Sequence, residues 1–432
     1  MSNSPSPAYL LDLDDVDDID SAGSEPQLPS YTRRPSAGCS TVLVDRRTRN
    51  FTYKLAKSLA RPGVSLTISG DSRLSKALPS FMEGDKVAGA VRISVNSGED
   101  IRSISVSVKG QVMTGRTSDG VFTFLNLHDT LWTAEIGDLQ AHRDPTGEHD
   151  YSWPFSLALP REVVIPSTDG LKERAFPLPH TFMESGVPAR VYYELEVSVK
   201  QSKWKRNRRV SAQIAYFQGS QSSLRARDLE PGSDDVGAVW KKLNPITVTG
   251  SVSQFQQRAV ELGCTLSLKE SSFYTRGSSI PLRLQIRSQD RQALELLSSP
   301  DAIVVHLNRR ISYKDVQMCG GSSSRWSSVV ESVGVATWGI HEEIPSEASS
   351  TSEGYSSTLV GKLKLKRGLV PSASIANLSI DYYISLYPFS SPVFQPYDDK
   401  SVPLISRNIQ INTDLSVHPD DLGSAHNSCE SL

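Results

Sequence analysis

Short runs in which apolar and polar residues alternate, separated by turn residues, constrain this chain more than any other feature. VSLTISG (64–70) is the first clear run, and KVAGAVRISV (86–95), IRSISVSVKGQV (101–112) and VFTFLNL (121–127) repeat it. YSWPFSLALP (151–160), ARVYYELEVSVK (189–200) and RRVSAQIAYF (208–217) follow. Side chains along a strand point alternately to opposite faces, so this period turns one face of each run into a core and the other to water. NSGED (96–100), TSDG (117–120) and DPTGEHD (144–150) punctuate the runs with residues that make turns between antiparallel strands. Many short strands without a long amphipathic helix between them predict sheets packed face to face.

A polar stretch at 219–243 breaks the series, and a second set follows it. ELGCTLSLKE (261–270), SSIPLRLQIRSQ (278–289), AIVVHLNRRISY (302–313) and SSVVESVGVATWGI (327–340) alternate in the same way. So do STLVGKLKLK (357–366), IANLSIDYYISLYPF (375–389) and SVPLISRNIQI (401–411). QALELLS (292–298) reads as a short helix, FTYKLAKSL (51–59) as a second, and the Ser-rich stretches 319–328 and 345–358 as mobile loops. The pattern predicts an all-β chain of two consecutive immunoglobulin-like antiparallel β-sandwiches, at 62–218 and 244–412. A linker (219–243) joins them, and a disordered arm (1–61) and tail (413–432) flank them. Within the runs, Tyr193, Leu195, Val197 and Val199 share one parity and are expected in the core. Gly84 and Asp85 suit a turn into a strand, Gly110 a bulge or close approach, and Pro154 an edge position or a bulge.

Composition narrows the function. A net charge of −2 over 432 residues argues against a general nucleic-acid binder. Cys39, Cys264, Cys319 and Cys429 are scattered without a CxxC or CxxH spacing, which predicts neither a zinc site nor a disulfide framework and suits a reducing compartment. The N-terminus lacks the basic start and apolar core of a secretory signal, and no window of 18 apolar residues occurs, so a soluble cytosolic protein is expected. GxSxG, P-loop, GxGxxG and HExxH signatures are absent, and the histidines are dispersed, with His142 and His149 flanking a turn and His306 within a strand. No enzyme activity, metal or cofactor is expected.

Four stretches in order resemble the arrestin family, specifically the α-arrestins or arrestin-related trafficking adaptors. They are FMEGDKVAGAVRISV (81–95), IRSISVSVKGQV (101–112), the block YSWPFSLALP–FPLPHTF–ARVYYELEVSVK (151–200), and SSFYTRGSSIPLRLQI with LLSSPDAIVVHLNRRISY (271–313). The resemblance spans about 64–411, with His180 in LPHTF standing where the family carries a small residue or proline. It implies the arrestin fold and a cytoplasmic adaptor recruited to the plasma membrane or endosomes.

The binding motifs are read beside that resemblance. Leu28, Pro29 and Tyr31 form LPSY in a Pro-containing segment, where an extended polyproline conformation favours docking into an aromatic groove. In related adaptors such motifs bind the WW domains of HECT-type ubiquitin ligases. KQSKWKRNRR (200–209) gathers Lys203, Lys205, Arg206, Arg208 and Arg209 around Trp204 between two predicted strands, and such charge attracts anionic lipids or acidic cytosolic tails of transporters or receptors. DLDDVDDID (12–20) carries six aspartates, and RRPS (33–36) makes Ser36 a phosphorylation candidate beside LPSY. The expected function is an adaptor that brings membrane cargo to a ubiquitin ligase. The alternative is a scaffold of the same fold, in endosomal sorting or receptor signalling, that recruits no ligase.

Overall fold

The computed structural model describes residues 48–55, 63–72, 75, 77–95, 101–115, 120–135, 137–138, 140–145, 150–166, 173–201, 207–219, 239–253, 257–316, 324–340 and 354–413. The first half supplies β1 (Thr48–Leu55), β2 (Gly63–Asp71), β3 (Ser80–Met82), β4 (Lys86–Ser94), β5 (Ile101–Thr114), β6 (Val121–Thr133) and β7 (Tyr151–Ala158). It continues with β8 (Glu162–Pro166), β9 (Glu173–Pro177), β10 (Phe182–Met183), β11 (Ala189–Gln201) and β12 (Arg208–Phe217). The second half supplies β13 (Trp240–Lys242), β14 (Ile246–Val252), β15 (Arg258–Lys269), β16 (Tyr274–Thr275), β17 (Ser279–Ser288), α1 (Arg291–Leu297), β18 (Val305–Val316) and β19 (Ser324–Ile340). β20 (Tyr355–Lys364), β21 (Ala373–Ile375), β22 (Leu378–Leu386), β23 (Phe394–Pro396), β24 (Ile405–Ile409) and β25 (Ile411–Asn412) complete it.

The fold is all-β, and α1 is the one α-helix among the described residues. Its Asp290 cap accepts a hydrogen bond from the Ala293 amide at 3.0 Å, and Ala293, Leu294 and Leu297 face inward. In the first half a four-stranded sheet runs β1-β2-β4-β7, and a six-stranded sheet runs β3-β12-β11-β5-β6 with β10 beside β11. Strands of the second half join in one eleven-stranded sheet, β21-β22-β18-β19-β20-β17-β15-β14-β23, with β13 and β24 pairing alongside. All pairings are antiparallel except the short contacts of β3 on β12 and β16 on β25. Each sheet draws its strands from one half of the chain only. Inward side chains of facing sheets share a buried core, an arrangement consistent with β-sandwich packing.

Local expectations meet the structure residue by residue. Tyr193, Leu195, Val197 and Val199 are all fully buried. Gly84 takes φ +82°, which favours glycine, and the Asp85 carboxylate accepts from the Met82 amide at 2.8 Å, so the turn into β4 is locked at both residues. The β5–β6 register shifts between Gly110 and Gln111, and a Cβ at Gly110 would stand 2.4 Å from the Phe124 ring. Pro154 lies in β7, an edge of its sheet.

Four expectations are corrected, the first being the linker 219–243, where Trp240–Lys242 pairs antiparallel with β15 as β13. FTYKLAKSL was read as a helix, but Thr48–Leu55 is a strand paired antiparallel with β2. Phe51 and Tyr53 recur with period two opposite Ile68 and Leu66, and the ready partner edge of β2 outweighs helix propensity. Among the described residues the first sheet therefore begins at Thr48 rather than at residue 62. Both Ser-rich stretches expected as loops, 345–358 and 319–328, end in strands: β20 starts at Tyr355 and β19 at Ser324. The β19 register places Trp326 opposite Lys314 of β18, so tertiary pairing overrides the serines.

Cys264 is fully buried on β15, and that burial pushes its thiol up to about 12. A variant with Cys39, Cys319 and Cys429 changed to Ser is expected to resist iodoacetamide in the native state and to label only on unfolding, as read by intact mass. The same group makes stability fall with alkaline pH. An unfolded thiol ionises near pH ~8.5 and the native one near 12, so between these values the unfolded state releases the proton first.

Candidate functional surfaces

Leu28, Pro29, Tyr31, Ser36, Lys203, Lys205 and Arg206 lie outside the described residues, as does the acidic run at 12–20. β11 and β12, which flank the basic stretch, are antiparallel neighbours with Val199 opposite Arg208 and Ser198 opposite Arg209. Arg208 is only 7% exposed, so it is taken off the surface that the sequence assigned to it. Arg209 remains on it, with Nε 3.9 Å from Glu196 Oε1, while Lys109 Nζ approaches Glu196 Oε2 at 3.7 Å. One carboxylate thus sits between two surface cations. The cations lie at the solvent-facing side of Glu196, and pairs this long at a surface contribute under about 1 kcal/mol each.

A second polar site is built into the core parity of β18. Val305, Leu307, Ile311 and Tyr313 face inward along this strand, and Arg309 occupies the same parity between Leu307 and Ile311. Its side chain is 5% exposed. A buried guanidinium requires partners. Arg309 Nη2 donates to Glu184 Oε1 at 2.8 Å and lies 2.7 Å from Oε2, and it also donates to Glu331 on β19. Glu184 follows β10, so the ion pair ties the first half of the chain to the second across 125 residues. Burial pulls the Arg309 pKa down, but the hydrogen bond and charge of Glu184, with Tyr382 and Glu331, outweigh it and leave the cation more firmly protonated than usual.

Tyr382 stands opposite Arg309 on β22, is fully buried, and donates to the Val370 carbonyl at 2.6 Å. Arg276 donates Nη1 to the Leu369 carbonyl at 2.9 Å, and burial draws its pKa down to about 10. These groups hold a fixed arrangement of charge. A guanidinium cannot exchange a proton near neutrality, so the cluster fits a structural tie rather than acid–base chemistry. An arginine flanked by apolar residues at i±2 was a signal visible in VHLNRRISY, but Glu184 could not be paired with it from sequence.

A third surface is the outer face of β19, β18 and β22. His306 Nδ1 is 3.3 Å from Ser332 Oγ, and its ring centroid is 5.1 Å from that of Tyr387. Burial lowers its pKa. Asn308 Nδ2 donates to the Tyr387 hydroxyl at 2.8 Å, and the Arg310 guanidinium lies 4.8 Å over the Tyr383 ring. Trp326 and Val330 extend this face and are 54% and 55% exposed. Elsewhere His142 stacks on Trp153 at 5.3 Å, while His149 lies outside the described residues. Among the described residues, no three His, Cys, Asp or Glu side chains come together in a way that could hold a metal ion, and no helix is long and apolar enough to cross a membrane. The chain matches no family model, and no curated protein matches it.

Proposed function

We propose that this chain is a non-enzymatic cytosolic adaptor on an arrestin-like fold, with two immunoglobulin-like sandwiches in series. It links cytosolic tails of membrane transporters or receptors to a HECT-type ubiquitin ligase, and the cargo is then ubiquitinated and endocytosed at the plasma membrane or endosomes. The observation that carries the reading is the agreement between motif order and strand order. FMEGDKVAGAVRISV takes in Phe81–Met82 of β3, the Gly84 turn and β4, IRSISVSVKGQV lies within β5, and ARVYYELEVSVK within β11. Each half of the chain closes its own sheets. Ligase recruitment is supported by Leu28, Pro29 and Tyr31, and cargo or anionic-lipid contact by the cations on either side of Trp204, with Arg209 at the rim and Arg208 excluded by its burial.

Isolated WW domains are expected to retain the full-length chain and to lose it on Tyr31→Ala. Equal retention of both proteins overturns ligase recruitment, and membrane binding without WW binding supports the scaffold reading instead. Charge reversal by Lys203→Glu, Lys205→Glu and Arg206→Glu is expected to weaken binding to anionic liposomes, and more so at low ionic strength. Undiminished liposome binding removes the basic stretch from the contact surface.

A further inference from the structure

Sheets need a reason to stop. β19 pairs with β18 along Ser324–Val335, whereas β20 takes its other side only at Ala336–Ile340. Among the described residues, no strand pairs with that other side over Arg325–Glu331. An open edge presents unpaired backbone N–H and C=O groups to any extended chain. Natural edges are blunted by charged side chains, lysine above all, by proline or by shortness; RWSSVVE has no lysine or proline, spans seven positions, and carries charge only at its two ends, Arg325 and Glu331. Trp326 and Val330 stand on its outer face more than half exposed.

From this edge we infer a second copy of the same chain as its partner: β19 pairs with β19 of another copy, antiparallel, about a two-fold axis at Ser328. The charge and apolar pattern of the segment carries the assignment. Centred on Ser328, Arg325 lies opposite Glu331 of the partner copy, Trp326 opposite Val330, and Ser327 opposite Val329. Arg309 takes Oε1 of Glu331, so Oε2 is the oxygen that the incoming Arg325 meets. Moving the axis by one residue sets Trp326 opposite Ser328 or Ser332 of the partner copy and leaves Arg325, which stands opposite Asp315 on its own β18, with no opposite charge from that copy. Only the Ser328 register matches cation to anion and apolar to apolar, which an isologous contact requires of one self-complementary surface. The contact continues the sheet through both copies, and a seven-residue edge makes it a small, concentration-dependent interface. It does not rest on the adaptor reading.

Sedimentation of the full-length chain tests it. The weight-average mass is expected to rise toward that of a dimer with concentration, and Trp326→Glu, which faces Lys314 within its own hairpin, or Arg325→Gln is expected to abolish the rise without altering the melting curve. A cysteine at the axis reads the register. With Cys39, Cys319 and Cys429 changed to Ser, Ser328→Cys places two thiols on directly opposed residues, whose Cα atoms in an antiparallel pair lie about 4.5–5.5 Å apart, within disulfide reach. Mild oxidation is expected to give a covalent dimer with Ser328→Cys and much less with Ser327→Cys, which is opposed by Val329. A monomer at every concentration, a dimer indifferent to Trp326→Glu and Arg325→Gln, or equal crosslinking at 327 and 328 overturns the proposal.

Discussion

Tyr193→Ala is expected to lower the unfolding free energy by about 4 kcal/mol, and Tyr193→Phe by about 1–2 kcal/mol. The residue is fully buried at the centre of β11, and its ring meets Phe124 edge-on at 5.5 Å and Tyr216 at 5.4 Å. It faces Gly110 across the β11–β5 pair, where the missing side chain leaves room for the Phe124 ring. Alanine removes the whole ring and opens a cavity that two sheets cannot close. Phenylalanine keeps the ring and removes one interaction, the hydroxyl that donates to the Pro179 carbonyl at 2.7 Å. That carbonyl is then left without this donor in a dry site, which sets the smaller loss. Urea unfolding with linear extrapolation measures both changes. A Phe variant as damaged as the Ala variant shows that the hydrogen bond, not the packing, carries the site.

The second large effect is expected at the tie between the halves. Glu184→Ala combined with Glu331→Ala strands the Arg309 guanidinium, whose side chain is 5% exposed. Removing the partners of a buried charge costs about 3–5 kcal/mol, and the lower end applies because the two carboxylates are themselves 36% and 45% exposed. Adding Arg309→Met removes the stranded charge and is expected to recover more than half of the loss. The coupling between the changes measures the tie, since the residues share one network. A triple variant as unstable as the double one places the loss in carboxylate packing instead.

Much of the architecture is legible in the chain because side-chain alternation is a local property. The runs 86–95, 101–112, 189–200 and 208–217 lie in β4, β5, β11 and β12, and the inward parity at Tyr193 to Val199 follows from the same period. Gly84 and Gly110 were readable as well, because a turn and a close approach each demand the absence of a side chain. FTYKLAKSL was not. A short apolar run satisfies both periods, and only the open side of β2 decides between them. Arg208 failed for a related reason: its charge announced a surface, while its place on β12 buries it.

Local periodicity determined that this chain would form strands, roughly where each lies, and which parity turns inward. Tertiary structure alone decided which strands are neighbours, where the sheets end, and that Arg309 meets Glu184. The division has one physical cause. Alternation is set by the geometry of consecutive peptide units, whereas pairing and buried charge depend on groups brought together from far along the chain, whose proximity no short stretch of sequence encodes.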